Sequence, residues 1–502
     1  MVFSEMAWPT QAGYPILTTL QLLPLLAAGL MLWWRDSERL KLGGLLLMGV
    51  ELGIALDLYW RYDAAQVSMQ FAEHLSLLGP LDYHAAVDGV SILFILLTAL
   101  LILLASVYGL VRGLGPSRRF LSVMLAIESA LMSLFATVNL LWFAVLSVVQ
   151  IGLVGYLLWR WATSPEKDFA LSRFYQFMGV AVLLLAAGTL VLGWNHAHAT
   201  GRWSFDLFDL TQVPVPGEYA SLVFFLLFYG MAIRTPLFPL HGWLPLVAEH
   251  GNIAVAPTTL LGLKLGIYGM LRFVFPVVPE AVDQWHYYVV AFAVVGIFYA
   301  ASLAMMQDNM RRLLAFAVVS HTGLIVIGLF TLHQMAFEGA VILSVTFGLA
   351  ISTLMFMTGM IYRRTGTTLL HKLGGLFDQI PFLGVTFLVA GLAIIGMPGT
   401  PGFDAVHLVM EASIHRFGGL LTIAAALGNV VAAGFLLWAF QRIFLAPPVD
   451  GAEISAERTT QSEMLVAGLI VLVLLSAGFY SEPWLELIEK PLQELSALYS
   501  HE

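Results

Sequence analysis

The sequence predicts an all-α polytopic membrane protein with about fourteen transmembrane helices. Three observations predict it. Of 502 residues, 59% are apolar and 11% are charged, against roughly 25% charged in a soluble globular domain. The apolar residues fall in long unbroken runs, close to the ~20 residues that a helix needs to cross the hydrocarbon core. Those runs lack the alternation at every second position that a membrane β-barrel strand requires.

The runs are centred near residues 24, 51, 100, 128, 150, 184, 228, 264, 296, 321, 349, 390, 430 and 472. The N-terminus, MVFSEMAWPTQAGYP, has no basic n-region and no small-residue cleavage site, so the first apolar helix is expected to act as its own insertion signal. The first three runs form an N-terminal unit, 1–115. The next five make one five-helix unit, 116–275, and the five after that a second, 276–445. Residues 446–502 hold a flexible polar loop, the last span, and a short amphipathic or interfacial segment after Ser481. The longest connections are about 61–87, 196–217 and 446–462, leaving no room for a soluble domain.

Helices seven and twelve are expected to be broken. In RTPLFPLHGWLPLVAEHG, Pro236 and Pro239 directly follow Arg234, and in GMPGTPGFDAVHLVMEASIHRFG, Pro398 and Pro401 precede Asp404. Proline removes a backbone donor and clashes with the preceding turn, and opened backbone in a membrane is tolerable only against protein or a hydrated cavity. Two breaks about five spans apart point to a structural repeat of five helices.

Lysine and arginine in the loops set orientation. With the N-terminus outside, the inner loops collect Arg35, Arg39, Lys41, Arg112, Arg118, Arg119, Arg160, Lys167, Arg173, Arg311, Arg312, Arg363, Arg364, Lys372, Arg442 and Arg458. Arg61, Arg202, Arg416 and Lys490 fall outside, with Arg272 near the outer end of its helix. Both termini therefore face outward, in a membrane of the bacterial inner type. The net charge of −9 and the absence of basic clusters exclude a nucleic-acid surface. With no cysteine the chain can build no disulfide, iron–sulfur cluster, thiolate metal site or cysteine nucleophile.

Ionisable residues inside apolar spans are the functional candidates, because a charge at membrane depth is costly and usually faces a bundle interior or a water-filled cavity. They are Glu51 and Asp57 in the second span, Glu128 in the fourth, Arg234 in the seventh, Lys264 in the eighth, His321 in the tenth, and Asp404, His407 and Glu411 in the twelfth. Asp57 lies near a span end and reads as interfacial. The last three are spaced i, i+3, i+7, on one helical face, and a histidine beside two carboxylates suits a proton relay; a metal site is the less common use of such a trio. His241 and His250 are expected to satisfy the broken backbone. Lysine changes charge when desolvated, whereas arginine does not lose its proton inside a protein. Lys264 is thus the switching candidate, Arg234 a permanent charge, and Glu128 the anion expected to balance it. The alternative for all three is a buried ion pair that only fixes helix packing.

FPLHGWLP followed by APT, then LLGLKLGIYGMLRF and a P-x-x-P, resembles the antiporter-like M-type subunit of respiratory complex I and its relatives. The resemblance extends through AVDGVSILFILLTALL (86–101), QDNMRRLLAFAVVSHTGLIVIGLF (307–330) and the GGL at 374–376, and so covers most of the chain. It implies a fourteen-helix antiporter fold with two inverted five-helix units, broken helices seven and twelve, and a line of buried charges coupled to proton translocation. The family's eighth-helix lysine matches Lys264, and its tenth-helix histidine matches His321. Its seventh-helix lysine is replaced by Arg234. The paired fifth-helix glutamate falls on Val148, with Gln150 the nearest polar residue; the eleventh-helix histidine falls on Phe347; the twelfth-helix glutamate falls near Val406, flanked by Asp404 and His407. The family's aspartate after WLP is Leu246.

The function expected on this basis is a proton-conducting, antiporter-like subunit of a complex I-like membrane assembly. It has no catalysis, metal or cofactor of its own, and an activity such as NADH:quinone oxidoreduction belongs to the whole assembly. The alternative is the membrane subunit of an inorganic-carbon (CO2/bicarbonate) accumulation complex, energised by a cation gradient and paired with a large soluble zinc protein. An independent exchanger, a hydrogenase membrane arm and a purely structural role remain further readings.

Overall fold

The computed structural model describes residues 4–78, 81–252, 256–448 and 459–500. Helices dominate, and among the described residues twelve are long and apolar enough to cross a membrane. The first two are α1 (Ile16–Trp33) and α2 (Glu38–Arg61). Their outer faces carry exposed leucines such as Leu22, Leu26, Leu42 and Leu46, the pattern expected where lipid or another subunit covers a helix.

The long connection at 61–87 holds β structure. Strand β1 (Glu5–Ala7) runs parallel to β2 (Met69–Leu78), which pairs antiparallel with β3 (Leu81–Val87). This small sheet closes the start of α1. The Glu73 carboxylate accepts hydrogen bonds from the Leu17 and Thr18 backbone N–H at 2.9 and 2.8 Å, satisfying donors that a helix N-terminus otherwise leaves orphaned.

The bundle continues with α3 (Gly89–Val111), α4 (Ser117–Ala136), α5 (Leu140–Trp161), the long α6 (Lys167–Thr200), a short α7 (Leu207–Gln212) and α8 (Gly217–Arg234). Asp88 and Asn139 cap α3 and α5, each side chain accepting a first-turn N–H. After α9 (Leu244–His250) comes α10 (Ala256–Gly269), prolonged by one π-helical turn, Met270–Val274. Then come α11 (Pro279–Met305), α12 (Met310–Phe330) and α13 (Gln334–Thr365), of which the last two are the most deeply buried. Helix α12 is buried from Leu313 to Phe330, which explains why that stretch is apolar on every side rather than on one stripe.

The chain closes with α14 (Pro381–Ile395), α15 (Pro401–Phe417), α16 (Gly419–Phe440), α17 (Gln461–Phe479) and α18 (Glu482–Ala497). Most of the polar loop expected at 446–462, with Arg458, lies outside the described residues. Two buried ion pairs cross the bundle. Arg364 reaches Glu463 at 2.7 Å, and Arg272 reaches Asp88 at 2.7 Å while Tyr268 and Ser91 surround it. The segment after Ser481 is the helix α18, and it folds back onto α3: a Cβ on Gly89 would lie 1.7 Å from the Leu487 carbonyl oxygen. The Tyr499 hydroxyl then donates to the Phe275 carbonyl at 2.8 Å.

Candidate functional site

Both expected helix breaks are present. Helix α8 stops at Arg234, turns through Pro236 and Pro239, and restarts at Leu244. The freed backbone is met by Trp243 Nε1, which donates to the Ile233 carbonyl at 3.1 Å, and by Thr235 Oγ1, which donates to Met231 at 2.9 Å. His241 instead packs its ring against Phe238 and Tyr299, and His250 bonds Ser164 Oγ at 2.9 Å. The role expected for these two histidines thus falls to the indole and the threonine. The second break spans 396–400 and contains Pro398, while Pro401 sits in the first turn of α15, where its missing N–H costs nothing.

Arg234 is buried at the C-terminal end of α8. Its guanidinium donates to Ser147 Oγ at 2.5 Å and to Gln150 Oε1 at 3.1 Å, both on α5. No described carboxylate lies within ion-pair distance of it. The pairing expected with Glu128 is therefore corrected: neutral acceptors one helix further on hold the arginine, and the geometry of α5 selects them. Val148, the position aligned with the family glutamate, is 54% exposed and points away, whereas Gln150 is buried and faces Arg234. A cavity of about 20 Å³ adjoins them, lined by Gln150, Arg234, Thr259 and Trp243, room for about one water. Thr259 Oγ1 is buried there without a partner.

Glu128 lies on α4 with both carboxylate oxygens buried and unbonded. Glu51 on α2 is in the same condition. The two acids thus form a pair of their own at the α2–α4 side of the bundle. Asp57 lies at the end of α2, taking Arg61 Nε at 2.8 Å and the Tyr14 hydroxyl at 3.0 Å, an interfacial setting.

Lys264 is buried on α10 with its ammonium 5.0 Å from the centre of the Phe347 ring, and Gly348 leaves the space its stem uses, since a Cβ there would stand 3.2 Å from Lys264 Cε. Phe347 stacks in turn on His321, with centroids 5.0 Å apart and planes 15° from parallel. The order is ammonium, phenyl ring, imidazole. His321 Nδ1 donates to the Ala317 carbonyl at 3.1 Å, and its Nε2 is buried and unbonded. A small cavity lined by His321, Ser320 and Asn429 lies beside it. Asn429 donates to the Ile395 carbonyl at 2.8 Å, at the second helix break. Gln150 and Thr259 beside Arg234 and Asn429 beside His321 are neutral polar side chains, so a search of the sequence for charges passes over the last two.

The trio on α15 does not face the interior of the bundle. Ser413 meets Thr331 just past the end of α12 at 3.1 Å, and Asp404 accepts from Ser481, at the start of α18, at 2.6 Å. A Cβ on Gly478 would strike the Gly399 carbonyl, so the break is level with the end of α17. Helix α15 therefore packs at one end of the bundle. His407 and Glu411 share a face, 3.5 Å apart, with side chains 72% and 47% exposed. Side chains of metal-ligand type converge elsewhere: Glu5, His74 and His84 meet on the small sheet.

Comparison with known proteins adds a family. The family described as "NADH:quinone oxidoreductase/Mrp antiporter, TM" matches residues 140–435. NADH-quinone oxidoreductase subunit M of Rickettsia prowazekii (strain Madrid E) is 28% identical over 423 residues, covering 82% of this chain and 84% of the relative. F(420)H(2) dehydrogenase subunit M of Methanosarcina mazei is 27% identical over 483 residues, covering 94% and 96%. A chain of respiratory complex I from Thermus thermophilus superposes with a TM-score of 0.85 at 27% identity, over 97% of this chain and 100% of that one. A chain of the Mrp complex from Dietzia sp. DQ12-45-1b gives 0.86 at 19% identity, over 97% and 98%, a likeness of fold. With the apolar helices, the two breaks and the buried lysine, these matches place the chain in the NADH:quinone oxidoreductase/Mrp antiporter family, as a multi-pass membrane protein of the antiporter-like M-subunit type.

Proposed function

We propose that this chain conducts protons as the antiporter-like subunit of a complex I-like membrane assembly, coupling chemistry in partner subunits to proton translocation. The observation that carries this reading is Lys264, an ammonium buried in the bundle with an aromatic face in place of an anion. A buried lysine gains and loses its proton readily, and a cation held only by a ring is worth about 2 kcal/mol when desolvated. Such a centre is easily tipped by a charge moving nearby. Phe347 interrupts any hydrogen-bonded chain from Lys264 to His321, so a proton passes there only with water when the ring swings. Arg234 keeps its charge throughout. Beyond His321, Asn429 and the broken backbone at Ile395 lead toward Asp404, His407 and Glu411, the outlet of the path. Glu51 and Glu128 form a separate acid pair that loads protons at the other side.

In this reading the short α10 and α14 join the twelve long helices as spans, giving fourteen in all. Residues 116–275 and 276–445 are the two inverted five-helix units, each with one broken helix; residues 1–115 and 446–502 flank them. Both termini lie on the outer side of a bacterial-type inner membrane. The test is to purify the tagged chain from its native membrane and identify what accompanies it. Flavin and iron–sulfur subunits would agree with this function, and Lys264→Met should then abolish proton uptake by vesicles carrying the assembly. A single large soluble zinc protein would overturn it in favour of inorganic-carbon accumulation.

A further inference from the structure

The cluster on the small sheet is drawn from three separated parts of the chain. His74 on β2 and His84 on β3 are direct cross-strand partners, so their side chains leave the hairpin on one face, and their rings stack 3.7 Å apart. The parallel pairing of β1 with β2 carries Glu5 to the same place. Its carboxylate bridges the two rings, Oε1 lying 2.8 Å from His74 Nε2 and Oε2 2.9 Å from His84 Nε2. The third part precedes α7, where Asp206 has two tasks. Its Oδ1 accepts the Phe208 N–H at 2.9 Å as a helix cap, and its Oδ2 lies 2.5 Å from His84 Nδ1. The group opens on a cavity of about 260 Å³ that Asp82 and Asp209 also line.

We propose that Glu5, His74 and His84 bind a first-row divalent transition-metal ion, of which Zn2+ is the best match, with Asp206 as the residue that orients His84. The ligand atoms of the three already lie within 4.8 Å of one another. Tetrahedral zinc with bonds of about 2.0–2.2 Å needs them roughly 3.3–3.5 Å apart, so the Glu5 oxygens, now 2.8 and 2.9 Å from the two nitrogens, draw back slightly and the stacked rings turn until both lone pairs point at the ion. Two imidazole nitrogens and a carboxylate suit zinc, cobalt or iron rather than calcium or magnesium, which take oxygen ligands. A carboxylate on the remote nitrogen of a ligating histidine fixes its tautomer and raises its basicity, the relation of Asp206 to His84. Four carboxylates around two imidazoles also give the cavity the charge that a dication needs. Binding replaces the proton shared between Glu5 and each imidazole and releases it to solvent. The cavity side leaves a coordination position for water or for Asp82. The ion would pin the N-terminal strand to the hairpin and to the α6–α7 connection.

The full chain, purified in detergent and stripped with a chelator, is titrated with Zn2+ by calorimetry, and its bound metal is measured after dialysis. One zinc per chain is expected, with Co2+ giving the visible absorption of a four-coordinate nitrogen–oxygen site. His74→Ala and Glu5→Gln should each weaken binding at least ~10-fold, and Asp206→Asn by about 10- to 100-fold. His198→Ala, an exposed histidine on α6 that stacks on Trp194, should leave it unchanged. Thermal unfolding without metal verifies that each variant is folded. Because His74 is exposed, its alanine variant tests binding without disturbing the core. Failure of the wild-type chain to bind zinc, or equal binding by folded His74→Ala, overturns the proposal.

Discussion

Lys264 and Arg234 are both buried cations, yet only the lysine can surrender its proton. Lys264→Met and Lys264→Arg should therefore both stop proton uptake in vesicles carrying the assembly, by at least ~10-fold; the arginine variant keeps the charge and loses only the switch. Pumping by Lys264→Arg would mean that charge alone suffices. Stability effects should follow the partners seen in the structure. Gln150→Leu takes an acceptor from the Arg234 guanidinium and should cost about 1–3 kcal/mol in thermal or chemical unfolding. Arg364→Met strands the Glu463 carboxylate in the core and should cost about 3–5 kcal/mol. Glu128→Gln should shift stability by less than ~1 kcal/mol, because neither oxygen has a donor to lose; a loss as large as that of Arg364→Met would restore the discarded pairing with Arg234.

At the scale of elements, the two helix breaks depend on close approach as much as on proline. A Cβ on Gly266 would lie 1.8 Å from Thr235 Oγ1 and 2.5 Å from the Met231 carbonyl, so α10 rests directly on the end of α8. Gly266→Ala must push the broken helix away and should cost at least ~1–3 kcal/mol, measurable as a lower unfolding midpoint in detergent. Substituting an open glycine such as Gly49, which has nothing within 4 Å, serves as the comparison. The breaks were readable from Pro236, Pro239 and Pro398, because a proline acts on its own turn. The groups that satisfy the opened backbone were not, since Trp243 and Thr235 are identified only by which carbonyl they face. The β2–β3 pairing was missed for a related reason: its residues read only as a connection between two strongly apolar helices, and strand pairing leaves little trace in hydropathy.

At the scale of the whole molecule, the position of α15 decides where a proton path could open. The structure puts His407 and Glu411 on an exposed face at one end of the bundle. With no native cysteine, His407→Cys gives a clean test. A water-soluble maleimide should label it in isolated protein, and in sealed vesicles from the same side that exposes a C-terminal tag. Protection from the reagent on both sides would return the residue to membrane depth. The sequence by itself determined the class, the long apolar helices and the family resemblance. Each rests on local composition, since a bilayer demands a long apolar run wherever the chain crosses it, and on motifs such as FPLHGWLP that are contiguous. Only the tertiary structure decided that Gln150 and Ser147 hold Arg234, that the Glu128 carboxylate is buried without a donor, that Phe347 stands between Lys264 and His321, and that Glu5, His74, His84 and Asp206 converge. Those are relations between side chains on different elements, fixed by helix rotation, tilt and strand register, and a linear pattern of hydropathy constrains none of the three tightly enough to choose a partner.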